Sequence, residues 1–158
     1  DRYNWELIGK KEMYIPYNAY GLDDPSLGYD EIVKPGHINQ DHARYELHRV
    51  WHVRATLKDD ERHVYARRDF YLDEDTWTIS VADLYDGRGE LWRVQEGHNM
   101  FMYDAQVPWF AVEVIYDTLS ERYLALGLTN EIDDPYSFGI ERRYGDFTPS
   151  ALRRSGRR

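Results

Sequence analysis

At 158 residues the chain has the length of a single domain, able to bury roughly 70% of its unfolded surface without disulfides or metal. It contains no cysteine, which removes disulfide scaffolds, thiolate zinc sites and cysteine nucleophiles together. Its formal net charge of −9, from 29 acidic against 20 basic residues, repels phosphate backbones and sets nucleic acid aside as a partner. Although hydrophobic residues make up only 42% of the chain, aromatics reach 15%, with fourteen tyrosines and five tryptophans. Such rings suit a pleated, half-buried surface because each tyrosine or tryptophan keeps one polar end. No apolar stretch approaches the ~20 residues that a membrane helix requires.

In chain order, Arg2 to Ile8 and Met13 to Tyr17 read as the arms of a hairpin turning at Gly9-Lys10-Lys11. From Asn18 to Gln40 the pattern lapses into Gly21, Asp23, Asp24, Pro25, Gly28, Pro35 and Gly36. A loop that long is expected to be ordered by packing or used in function, with a helical turn near Asp30 to Val33. From Tyr45 to Leu57 the odd positions are mostly apolar, Arg49 apart, while Glu46, His48, His52, Arg54 and Thr56 interleave with Val50 as the exception. This period of two predicts a strand with its odd face on the core and its even face wet. After Lys58-Asp59-Asp60-Glu61, alternation resumes from Arg62 to Leu72, then Asp73-Glu74-Asp75 turns the chain into a strand from Trp77 to Tyr85. Asp86-Gly87-Arg88-Gly89 is the strongest turn signal. Next come Glu90 to Val94, a looser stretch through Gly97, and Asn99 to Tyr103; then Trp109 to Tyr116 and Arg122 to Leu128 form strands. The end reads as a loop near Asp133-Asp134-Pro135, an extended piece near Ile140 to Tyr144, and a helical turn opened by Thr148-Pro149-Ser150. Strands in direct hairpin sequence, with no long helix between them, exclude a parallel α/β fold. The expectation is an all-β, mainly antiparallel domain over residues 1–158: a curved sheet or incomplete β-barrel with few short helices.

Few chemical motifs emerge. His48 and His52 lie on one strand face but roughly 13 Å apart, too far to share a metal. There is no nucleophile elbow, phosphate-binding glycine loop, zincin motif or dinucleotide fingerprint. Asp73 with Asp75, and Asp133 with Asp134, fall in turns, where aspartate bonds nearby backbone. No catalytic residue, metal or cofactor is therefore expected. Sixteen of the 20 basic residues are arginine, which suits planar pairing with carboxylates across strands. The apolar groups best suited to line a cavity for a greasy ligand are Trp51, Trp77, Trp92, Met100, Phe101 and Trp109.

Several strings carry a resemblance. Arg2 to Met13, Ile15 to Asn18, Arg44 to Trp51, Phe70 to Asp75 and Tyr85 to Arg93 resemble the C-terminal part of a bacterial domain-of-unknown-function family, labelled as outer-membrane lipoprotein-sorting-like. The resemblance runs over essentially the whole chain and carries no catalytic residues with it. It implies a periplasmic protein longer than 158 residues, of which this is the C-terminal half. The implied fold is similar to the Lol lipoprotein carriers: an incomplete barrel with a hydrophobic cavity for acyl chains. Expected partners are a lipid or other hydrophobic ligand, membrane transport proteins, and either the missing N-terminal half or a second copy across an exposed sheet edge.

The resulting reading is a non-enzymatic carrier or binding module, with the Arg-rich strands and the long loop at the cavity mouth. Its rival is a structural adaptor that uses a sheet edge and a charged face. An enzyme using carboxylates such as Asp69, Asp83 or Glu113 ranks last.

Overall fold

The computed structural model describes residues 2–156. Seven strands, β1 (Tyr3–Pro16), β2 (Tyr45–Leu57), β3 (Arg67–Asp73), β4 (Ile79–Tyr85), β5 (Leu91–Met102), β6 (Val107–Asp117) and β7 (Arg122–Leu126), form one sheet. Each strand pairs antiparallel with the next in sequence, in the order β1 to β7. The architecture is the expected open, curved, all-β sheet. Among the described residues helix is confined to α1 (Tyr29–Ile32), α2 (Pro149–Ser155) and two short 3₁₀ turns.

Two expected breaks are bulges inside continuous strands. β1 does not turn at Gly9: it pairs with β2 along its whole length, and the register slips between Leu7 and Gly9. Gly9 sits at φ +136°, a conformation open to glycine and costly for other residues, so the glycine marks a bulge. β5 likewise runs through Gly97, with a register shift at His98/Asn99. The strand expected from Arg62 begins only at Arg67. Trp77 is excluded from β4 by its left-handed backbone, φ 59°. No strand forms near Ile140; a 3₁₀ turn occupies Tyr144–Phe147 instead. Thr148 caps α2 as the sequence suggests, its Oγ1 accepting the Ala151 N–H at 3.3 Å.

Through the middle of β2 the faces are the reverse of the sequence expectation, although Ala55 on the odd face is also fully buried. Val50, the exception on the even face of β2, is fully buried, while Leu47 on the odd face is 57% exposed. The even face of β2 joins Ile15, Tyr71 and Val81 in a cluster that also gathers Met13, Tyr17 and Val94 from β1 to β5. The sheet therefore curls toward this side, which we call the covered face. The Tyr45 hydroxyl spans the curl to the Glu96 carboxylate at 3.2 Å, and the Ala19 N–H donates to the Asn99 carbonyl at 2.8 Å.

The long loop closes the rest of the covered face. Its Ala19, Leu22, Ile32 and Ile38, all fully buried, pack against Met100, Val112 and Val114. On β7, the Tyr123 hydroxyl donates to the Lys34 carbonyl at 2.7 Å. The loop is thus ordered by packing, and it lies on the face opposite the groove described below. The expected position at a cavity mouth is corrected.

Polar groups enter the covered face because carboxylates receive them. Asp69, 2% exposed, accepts from Arg54 Nε at 2.7 Å and bonds His52 Nε2 at 3.0 Å. The Arg67 guanidinium lies 3.2 Å from its other oxygen. Alternation alone says that two faces differ; it does not say which one is dry once arginine can be neutralised inside.

Candidate apolar groove

The open face of the sheet carries the other half of each alternation: Trp51 and Val53 on β2, Phe70 and Leu72 on β3, Ala82 on β4, Gln95 and Gly97 on β5, Glu113 and Ile115 on β6, and Leu124 and Leu126 on β7. Part of this face borders a groove of about 490 Å³ whose walls include Phe70, Trp77, Ile79, Phe110, Ile115 and Leu126. On a β-sheet such a run of apolar groups faces either a second layer or a ligand.

Two aromatic stacks set one end of this face. Trp51 and Trp77 stack with centroids 6.3 Å apart and planes 23° from parallel, and Trp5 stacks on Phe70 at 5.8 Å. Trp77 is 66% exposed despite a backbone conformation that costs a non-glycine residue about 1–2 kcal/mol. The turn enforces that conformation. The buried Asp73 carboxylate accepts the Thr76 N–H at 2.9 Å and its hydroxyl at 2.7 Å, and the Trp77 N–H returns to the Asp73 carbonyl at 3.0 Å.

The floor depends on Gly97. A Cβ there would stand 2.5 Å from Phe110 Cε1 and 3.1 Å from the Ile79 carbonyl oxygen. Hydrogen at this position lets the Phe110 ring lie across β5. Gly97→Ala is expected to push that ring into the groove and to cost about 1–3 kcal/mol, read as a lower urea midpoint with unchanged m-value.

The six aromatic and methionine candidates do not converge. Trp51 and Trp77 meet on the open face. Trp92 stands at its end, its Nε1–H donating to Asp117 at 3.0 Å, with Tyr65 edge-on at 5.6 Å. Met100 is 3% exposed and lies under the long loop. Trp109 packs on Tyr136 and Phe138, and the Phe101 ring meets Tyr103 edge-on. The groove residues the sequence reading missed are Phe70, Ile79, Gly97, Phe110 and Ile115, each at an alternate strand position or beside a bulge. The face reversal hid them.

Charges at the groove ends are paired. Lys10 lies 4.2 Å over the Trp51 ring and 2.6 Å from Glu74, which also binds Arg49. Hydrogen bonds from Arg49 and Lys10 hold the Glu74 carboxyl down to about 2. Arg93 Nε meets Asp117 at 3.0 Å; backbone N–H groups, that of Ser120 foremost, together with Arg93 bring Asp117 to about 2.

The carboxylates weighed for chemistry have separate roles. Asp69 is filled by its arginines and His52. Asp83 accepts the Tyr71 hydroxyl at 3.1 Å; burial and the nearby Asp69 charge raise its pKa against that bond. Asp73 and Asp75 come together with His48, their ligand atoms all within 4.8 Å. Asp73 there serves the turn and also bonds His48 Nδ1 at 2.9 Å. Glu113 alone of the three lines the groove.

These features define an open antiparallel sheet with a loop-sealed face and an uncovered apolar trough on the other. The chain belongs to the DUF1329 family, proteins of unknown function, whose profile matches residues 1–153. It is 64% identical over 156 residues to the Pseudomonas aeruginosa protein PA3922, covering 99% of this chain and 34% of that one. Among solved structures it is similar to a DUF1329 family protein from Desulfovibrio piger, at 14% identity and TM-score 0.47, covering 96% of this chain and 48% of that chain. It also matches the LolA superfamily protein NE2245 from Nitrosomonas europaea, at 11% identity and TM-score 0.45, covering 78% of this chain and 41% of that chain. The chain thus spans about a third of the length of PA3922. Among the described residues no helix is long and apolar enough to cross a membrane.

Proposed function

We propose that this segment is a non-enzymatic binding module for a lipid or similar hydrophobic molecule, held in the groove on the open face. The observation that carries the reading is a wall of exposed apolar groups, Trp77 and Ile79 foremost, on a sheet whose other face is sealed. A groove of about 490 Å³ falls in the range of small-molecule sites, which are concave and mostly apolar. Exposed apolar surface of this kind marks a ligand groove or an interface in a soluble domain.

The reading extends to a periplasmic carrier linked to outer-membrane lipid or lipoprotein transport, supported by the resemblance of the strings quoted above. It extends also to the domain as the C-terminal part of a longer chain. Among the described residues β1 and β7 are each paired on one side only, and a free edge is a template for a further strand. The rest of the polypeptide, or a second copy, would pair there.

A structural adaptor is the second reading. Trp5 and Leu7 on β1, and Leu124 and Leu126 on β7, are exposed beside those two edges. Salt-sensitive capture of a transport protein, without lipid uptake, would favour it.

Uptake of Nile red, a neutral apolar dye, tests the binding reading. Ile79 is exposed, so Ile79→Asp is expected to leave the fold intact and to weaken uptake about tenfold, the effect of ~1.4 kcal/mol lost from the pocket. Unchanged uptake in the variant, or none in the parent chain, contradicts the reading.

A further inference from the structure

Two carboxylates line the groove: Glu96 accepts the Tyr45 hydroxyl at 3.2 Å and lies 3.5 Å from His98 Nε2, whereas Glu113 has no partner among the described residues. Glu113 lies on β6 opposite Gly97 of β5 and Leu126 of β7, in the wall formed by Phe110, Ile115 and Leu126. Elsewhere on the open face Lys10 and Arg49 are paired with Glu74 and Arg93 with Asp117, while Arg68, which is not part of the groove wall, lies over the Tyr3 and Tyr65 rings. Arg122 opposes Asp117 at the far end of the β6–β7 pair, four residues from Glu113 and so about 13 Å along the strand.

Resting on the binding reading above, we infer that Glu113 sets the ligand class: the groove takes an amphiphile with a cationic or hydrogen-bond-donating head, and it discriminates against a free fatty acid or other anionic lipid. The exposed carboxylate is hydrated while the groove is empty. A ligand that fills the groove strips that water, and a charge left unpaired under apolar surface is costly. A protonated amine beside Glu113 restores the lost bonds as a charge-assisted pair. A carboxylate or sulfate head adds like-charge repulsion to the desolvation, in a chain already at −9. The aromatic walls add to the preference, because the faces of Phe70, Phe110 and Trp77 attract cations.

Displacement of Nile red from the 158-residue chain by dodecylamine, dodecanol and dodecanoate, each below its micelle concentration, tests the inference. Dodecylamine is expected to bind about tenfold more tightly than dodecanoate, in line with one hydrogen-bonded charge pair gained. Glu113→Gln is expected to reduce that ratio to about threefold or less with dodecanol binding unchanged. Glu141→Gln, which removes an exposed acid outside the groove, is expected to keep it. If dodecanol binds and the amine and carboxylate remain equal, the inference falls and the binding reading stands. If the ratio survives Glu113→Gln or disappears in Glu141→Gln, the preference comes from net charge and the inference falls. If none of the three binds, both fall.

Discussion

Asp69→Ala is expected to lower stability by about 1–3 kcal/mol: a buried acceptor is lost, but the arginine partners are about a third exposed and regain water. Arg54 and His52 lose a hydrogen-bond acceptor and Arg67 loses a neighbouring charge. For a chain of this size that corresponds to a melting temperature lower by roughly 3–10 °C. The same site governs the acid limb. Burial alone would raise the Asp69 carboxyl, but hydrogen bonds from Arg54 and His52 and the charges of Arg54 and Arg67 outweigh it, and its pKa is lowered. A group depressed on folding contributes its stability in full above its unfolded value, near 4, and loses it as pH falls through the folded one. Thermal melts from pH 7 to pH 2 are therefore expected to fall below about pH 4 in the parent chain, and less steeply in Asp69→Ala. A variant that melts with the parent at pH 7 would show that the arginines find other partners.

Ile38→Ala is expected to cost about 2–5 kcal/mol, the range for truncating a well-packed aliphatic side chain. Ile38 is fully buried with Ile32 and Leu22 against Met100, Val112 and Val114, where a side chain lost from the loop leaves a void against a rigid sheet. Faster hydrogen exchange is expected at the loop amides, among them Ala19 N–H, which bonds the Asn99 carbonyl. Because the loop seals the covered face, Nile red uptake at 10 °C, where the variant remains folded, is expected to be unchanged. Loss of uptake in a folded Ile38→Ala chain would mean that the loop, not the open face, shapes the binding site.

The hairpin meander was legible because its signals are local. Asp86-Gly87-Arg88-Gly89 turns where its residues require, and β2 keeps its alternation over thirteen residues with Arg49 and Val50 alone out of phase. The bulges at Gly9 and His98/Asn99 were not legible, since a glycine in a strand-like run signals a bulge as readily as a turn. The choice of face was the larger miss. It depends on Arg54 and His52 of β2 reaching Asp69 of β3, a contact between strands, and no period within one strand reports it. Once the faces are exchanged, Trp51 and Trp77 remain together on the open side, while Met100 and Trp109 pass to the side of the loop. Glu113 reads in sequence as an ordinary wet-face acid; only its neighbours Gly97 and Leu126, distant along the chain, make it a groove residue.

The most direct measurement is native mass spectrometry of the chain with a single-chain amphiphile, followed by organic extraction of whatever remains bound. The expected result is one bound molecule per chain, retained in Ile38→Ala and bound about tenfold more weakly in Ile79→Asp. A chain that stays ligand-free at every amphiphile concentration, or binding that Ile79→Asp leaves intact, would contradict a ligand groove on the open face.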